Sequence, residues 1–199
     1  VPARFDLARQ HVSEIFSQQF QSEIVYHTYA HTLSVLLVLD KLCAEEKISD
    51  QHWHLLRLAA LFHDCGFSVQ GEEHEAHSAV LVSKFMMEHN YTEEETQLVK
   101  RCIMTTALVD EPDDLYEQIL RDADLHYLGT TDYFRQADLL RKEWEATAGK
   151  VMSDKEWYST NLDFFNQHSY YTASAKKLYD AQKEINFREI TSRLQSIAP

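Results

Sequence analysis

His27 and His31 stand four residues apart at the head of an apolar run, "YHTYAHTLSVLLVLD", residues 26–40. On a helix that separation puts both side chains on one face with Cβ atoms about 5 to 6 Å apart. Two imidazoles so placed suit shared work on a metal or a phosphate, and they read equally well as two ordinary histidines on a partly wet face. Further along, "LLRLAALFHDCGF" (55–67) closes a nearly all-apolar helix on the adjacent pair His63 and Asp64. Burial is almost forced there, and a buried carboxylate costs several kcal/mol unless a cation or strong donors compensate it. A satisfied helix end, with His63 on backbone carbonyls and Asp64 on an arginine, is the bland alternative. The third stretch is "YEQILRDADLHYLG" (116–129). Asp122 and Asp124 are two positions apart and cannot both face one way on a helix. Asp122 is expected to face inward, because Ile119 lies three residues before it, and Asp124 to be a solvated or capping carboxylate.

Taken together, His31, the His63-Asp64 pair and Asp122 resemble the H…HD…D signature of the HD-domain superfamily of metal-dependent phosphohydrolases. The segments "YHTYAHT", "AALFHDCGF", "HEAHSA" and "ILRDADLHYLG" follow the order and approximate spacing of that family over residues 26–129, about half the chain. The resemblance implies an all-α fold in which His31, His63, Asp64 and Asp122 ligate a divalent metal. Two neutral imidazoles and two carboxylates balance one such ion, and a mixed nitrogen and oxygen set suits Mn, Fe, Zn, Co, Ni or Mg, as one ion or as two bridged by Asp64. The implied chemistry is hydrolysis of a phosphoester by metal-activated water, with Asp64 among the catalytic groups. His27 matches the position that gives a proton to the leaving oxygen in related cyclic-nucleotide phosphodiesterases. Those enzymes carry Asn after this histidine where this chain has Thr28, which puts carry-over of their substrate in doubt.

His74 and Glu75 match an HE pair of many small HD proteins, where they lie near a second metal or its waters; the alternative is a polar helix start. The expected substrate is a small phosphorylated molecule, a nucleotide foremost, and no substrate-binding residue is readable. Lys84, Lys100, Arg101 and Arg121 read as solvated more readily than as phosphate ligands. Two other readings compete with a hydrolase. A nucleotide-sensing module would keep the site without turnover. A di-iron oxygenase would add two histidines, of which His74 could be one, but the stretch 92–108 offers none.

These residues have to be positioned by helices, since apolar positions recur at helical spacing and sustained alternation is absent. Nine helices are expected near 4–20, 27–47, 50–64, 73–90, 92–108, 112–126, 130–148, 153–167 and 171–196. Ser49 and Asp50, Thr92 with Glu95, and Pro112 mark starts; Gly66 and Gly71 mark the break after the third helix. With four glycines, three prolines and no linker-like segment in 199 residues, a single domain is expected, its motif-bearing part at 26–129 and its C-terminal helices (130–197) walling the site. The formal charge of -13 argues against broad binding to nucleic acid or anionic membranes. No run reaches a membrane span, and the opening stretch lacks the apolar core of a secretion signal. Three dispersed cysteines read as reduced thiols, pointing to the cytoplasm. The aromatic C-terminal helices leave room for a homodimer.

Overall fold

The computed structural model describes residues 2–69 and 71–197. Its regular structure, among those residues, is helical throughout: α1 (Pro2–Gln19), α2 (Tyr29–Glu45), α3 (Asp50–Phe62), α4 (His74–Glu88), α5 (Glu93–Thr105), α6 (Leu115–Asp124), α7 (Tyr133–Ala148), α8 (Asp154–Gln167) and α9 (Ala173–Ser196). Two short 3-10 helices, Cys65–Ser68 and Leu125–Gly129, follow α3 and α6. The all-α expectation and its nine helices are thus found element for element.

Side-chain caps fix most of the starts by accepting hydrogen bonds that the first turn leaves unmade. Thr28 accepts from the His31 backbone N–H ahead of α2, and Ser49 accepts from His52 ahead of α3. Thr92 and Glu95 form a reciprocal capping box on α5, and Ser153 and Glu156 form another on α8. The sixth helix departs from expectation. It starts at Leu115 instead of Pro112, because Asp114 takes the cap position and accepts from the backbone of both Tyr116 and Glu117.

α3 is the central helix, packed by α1, α2, α4, α5 and α6. Leu55, Leu56 and every residue from Leu58 to Phe62 are buried, as a helix apolar on all sides requires. A second apolar cluster joins Leu125, Leu128, Tyr133, Ala137, Trp157, Phe165 and Ile190 from α7, α8, α9 and the second 3-10 helix. Cys43, Cys65 and Cys102 are free and buried, and burial pushes the Cys43 thiol up to about 12. No described helix is long and apolar enough to cross a membrane.

Candidate active site

The C-terminal end of α3 carries His63 and Asp64 out of the hydrocarbon core into a tight turn. Asp64 sits at φ -101°, ψ 1°, the sparsely allowed bridge region where active-site residues recur. The turn is clamped from α4. Ser78, fully buried, donates its hydroxyl to the His63 carbonyl at 2.6 Å and accepts from the Gly66 N–H at 2.8 Å. A Cβ on Gly66 would fall 1.9 Å from the His74 carbonyl oxygen, so only glycine lets the α4 backbone approach this closely. The "HEAHSA" segment therefore builds the turn as well as contributing side chains to it.

Four side chains converge. The Asp64 Oδ2 atom lies 3.1 Å from His63 Nε2 and 3.5 Å from His31 Nε2. Asp124 Oδ1 lies 3.2 Å from His31 Nε2 and 3.4 Å from His63 Nε2. One ligand atom from each of His31, His63 and Asp124 falls within 4.8 Å of the others, a set that could hold a metal ion. His63 Nδ1 faces the Ala60 carbonyl at 2.8 Å, which holds the proton on Nδ1 and leaves the Nε2 lone pair free to ligate. His63 Nε2 and Asp64 Oδ2 are buried without a hydrogen-bond partner despite their proximity. Buried polar atoms left without partners call for a compensating group, such as an ion or a water. The donor set, two imidazoles and two carboxylates, fits a divalent ion.

The charges agree with the geometry. Burial acts to raise the Asp64 carboxyl, but the imidazoles of His63, His27 and His31 bring it below the usual range. Burial acts the same way on Asp124 and is overcome by its hydrogen bond with His31 and by the adjacent His63 imidazole. His63, which burial alone would lower, is raised well above its ordinary value by Asp64 and Asp124.

Asp122, expected among these ligands, is elsewhere. Its carboxylate accepts from the backbone N–H of Tyr171 and Thr172 at 2.9 and 2.8 Å and from the Thr172 hydroxyl at 2.8 Å, pinning the entry to α9. Burial raises its carboxyl against the pull of those Thr172 and Tyr171 bonds. Asp124, expected in solvent, is the residue beside the histidines. Both assignments rested on one buried stripe, whereas every residue from Ile119 to Ala123 is buried. The C-terminal half of α6 is enclosed on every side, so Asp122 and Asp124 reach two different sets of partners.

His27 also departs from expectation, lying ahead of α2 instead of on it, with Thr28 as the cap between. Its ring is 6.1 Å, centroid to centroid, from that of His31. A residue with no sequence motif holds it there: Glu143 of α7, buried and only 1% exposed. One carboxylate oxygen pairs with His27 Nδ1, and the other accepts from the backbone N–H of Tyr26 at 2.7 Å and of His27 at 3.1 Å. His27 Nε2 is thereby the nitrogen left to face the cavity. Burial acts to lower this imidazole, but Asp64 and the Glu143 bond raise it above its ordinary value. On the other side the Phe67 ring stacks on His27 at 4.2 Å and on His74 at 4.0 Å, and the two imidazoles lie 5.8 Å from each other. His74 Nε2 lies 3.7 Å from Asp64 Oδ1 and 3.2 Å from Glu75 Oε1, so His74 and Glu75 flank the cluster on the α4 side.

Through Asp64, Asp124, His27 and His74 the cluster borders a cavity of about 710 Å³, whose lining from α7 and α8 includes the apolar Leu140, Trp144, Trp157 and Phe164. None of the basic candidates lines it among the described residues. Arg121 donates to the Thr105 carbonyl at 3.0 Å, and Arg101 pairs with Glu117 and Asp114 at 2.6 and 3.0 Å.

A family model for the HD domain matches residues 28–126. Among curated proteins none matches the chain. Solved structures of similar fold include a predicted HD superfamily hydrolase from an uncultured Thermotogales bacterium, with 17% identity, a TM-score of 0.64, and coverage of 97% of this chain and 92% of that one. Bacillus subtilis YpgQ in complex with ADP has 16% identity, a TM-score of 0.64, and coverage of 98% and 95%. A Lactobacillus plantarum protein has 12% identity, a TM-score of 0.71, and coverage of 96% and 95%.

Proposed function

The chain belongs to the HD-domain superfamily, and on that premise we propose that it is a metal-dependent phosphohydrolase acting on a small nucleotide. The observation that carries the proposal is the convergence of His31, His63, Asp64 and Asp124 around the unpartnered His63 Nε2 and Asp64 Oδ2 atoms, at the floor of an open cavity. These four residues would hold a divalent ion. Such an ion supplies Lewis acidity that brings water toward ionisation near neutral pH and offsets charge gathering on phosphoryl oxygens.

The chain's own residues do the rest. With Nδ1 engaged by Glu143, His27 carries a transferable proton on Nε2 in its charged form, aimed at the cavity beside the metal cluster. In hydrolysis the oxygen of water bonds to phosphorus, the ester P–O bond breaks, and the departing oxygen takes the His27 proton. Phe67 holds the His27 and His74 rings in register by stacking. Tyr26, buried at the base of the cavity, packs 4.9 Å from the His31 ring and keeps bulk water from the ligands. The YpgQ complex with ADP supports a nucleotide as the ligand class.

Protein stripped of metal and reloaded with Mn, Fe, Co, Ni, Zn or Mg is assayed for inorganic phosphate release from nucleotides. Release that needs the metal and disappears in Asp64→Ala is the expected result. Tight nucleotide binding without release, under every metal, would instead favour the sensor reading.

A further inference from the structure

Resting on the phosphohydrolase reading, we propose that the substrate is a nucleoside monophosphate, and that nucleoside di- and triphosphates are poor substrates. The cavity has two chemically distinct halves. Its floor carries the imidazoles of His27 and His74 and the carboxylates of Asp64, Glu75, Asp124 and Glu143. Its wall carries the rings of Tyr127, Trp144, Trp157 and Phe164 together with Leu140. A divalent ion held there would offset the negative charge of these carboxylates and bind one phosphoryl group. Further phosphates would extend toward the aromatic wall, where no lysine or arginine among the described lining residues replaces their hydration. Stripping water from a phosphate there without a cation is strongly unfavourable.

Nearby cations are engaged elsewhere. Arg141 pairs with Asp154 at 2.7 Å, and the Lys150 ammonium is held against the Trp144 ring, 4.6 Å from its centroid, without itself lining the cavity. Flat uncharged aromatic groups are what the wall suits, because they stack on indole and phenyl faces without needing donors. The Trp144 and Trp157 rings meet edge to face at 5.8 Å, forming a right-angled corner for such a group.

Leu108, lining the cavity after α5, is held at φ +59°. That left-handed conformation is uncommon for a residue with this side chain. The Leu108 side chain, 42% exposed, adds a further apolar group to the lining. Asn161, also in the lining, has its amide engaged by the Tyr133 hydroxyl and the Trp157 carbonyl at 2.7 Å each. One amide N–H and one lone pair remain for the edge of a base.

The reaction that follows is hydrolysis of the 5′ ester. Water oxygen joins phosphorus, the bond from phosphorus to the 5′ oxygen breaks, that oxygen takes the His27 proton, and nucleoside and inorganic phosphate leave.

The test measures phosphate release by metal-loaded protein from AMP, ADP, ATP and ribose 5-phosphate, with p-nitrophenyl phosphate as a generic ester. The expected kcat/KM for AMP exceeds that for ATP by roughly 100-fold, from the uncompensated phosphates. It exceeds that for ribose 5-phosphate by about 5- to 100-fold, the range of one base stacked on aromatic side chains. In Trp144→Leu the advantage over ribose 5-phosphate shrinks toward unity. In Thr147→Lys, which adds a cation to an exposed lining position, the ATP to AMP ratio rises. ATP or ADP cleaved as well as AMP, or ribose 5-phosphate cleaved equally, overturns this inference while p-nitrophenyl phosphate turnover keeps the phosphohydrolase reading standing. Absence of release from all five under every metal overturns both.

Discussion

Replacing Glu143 by Gln asks whether this carboxylate, more than a hundred residues from its partner, sets the protonation of His27. One Glu143 oxygen serves two backbone N–H groups, Tyr26 at 2.7 Å and His27 at 3.1 Å, while the other serves the imidazole. A glutamine has only one oxygen. If it keeps the backbone donors, its amide nitrogen faces His27 Nδ1 and requires a lone pair there, which the charged imidazolium does not have. If it turns the other way, two buried N–H donors lose their acceptor at about 1 to 3 kcal/mol each. The first arrangement costs less, so His27 loses the support that holds it above its ordinary value. A donor to a leaving group must be protonated, so wild-type activity falls as pH rises through the elevated His27 value. In Glu143→Gln that basic limb moves to lower pH. On the basic side of the profile kcat falls, by about 10²-fold where the proton donor is lost outright. The assay is kcat against pH from 5 to 9 at saturating metal, with metal content measured alongside. An unshifted basic limb at wild-type kcat would refute the reasoning, and loss of metal would show that Glu143 acts on the ligands instead.

Asp122→Ala removes the acceptor for the Tyr171 and Thr172 N–H groups and the Thr172 hydroxyl; a stability loss of about 2 to 4 kcal/mol is expected in urea unfolding. Gly66→Ala drives a methyl group into the His74 carbonyl and is expected to cost about 3 kcal/mol or more in the same assay. Phe67→Ala frees the His27 and His74 rings from the ring stacked on both, and kcat is expected to fall about 10-fold with metal content unchanged, checked by steady-state kinetics.

The helices were legible because the core of this chain is built from continuous apolar faces closed by side-chain caps. Thr92 with Glu95 and Ser49 cap where their types foretold. The His63-Asp64 pair was legible for a related reason: an acid ending a helix as apolar as α3 needs a partner. Two features of the site were not. Choosing between Asp122 and Asp124 depends on which neighbours enclose the end of α6, and the run Ile119–Ala123, buried throughout, carries no stripe to decide it. Glu143 sits inside the charged run "RKEWE", which reads as a solvated face. Its one signal is Leu140, three residues earlier on the same side of α7, and the two line the same cavity.

Metal stoichiometry tests the central claim most directly. Wild-type protein, Asp124→Asn and Asp122→Asn are saturated with Mn(II), desalted and measured by inductively coupled plasma mass spectrometry, with folding verified by circular dichroism. The account predicts about one ion per chain or more in wild type and in Asp122→Asn, with a loss of at least roughly 10-fold in affinity for Asp124→Asn. Metal retained by Asp124→Asn but lost from Asp122→Asn would contradict it.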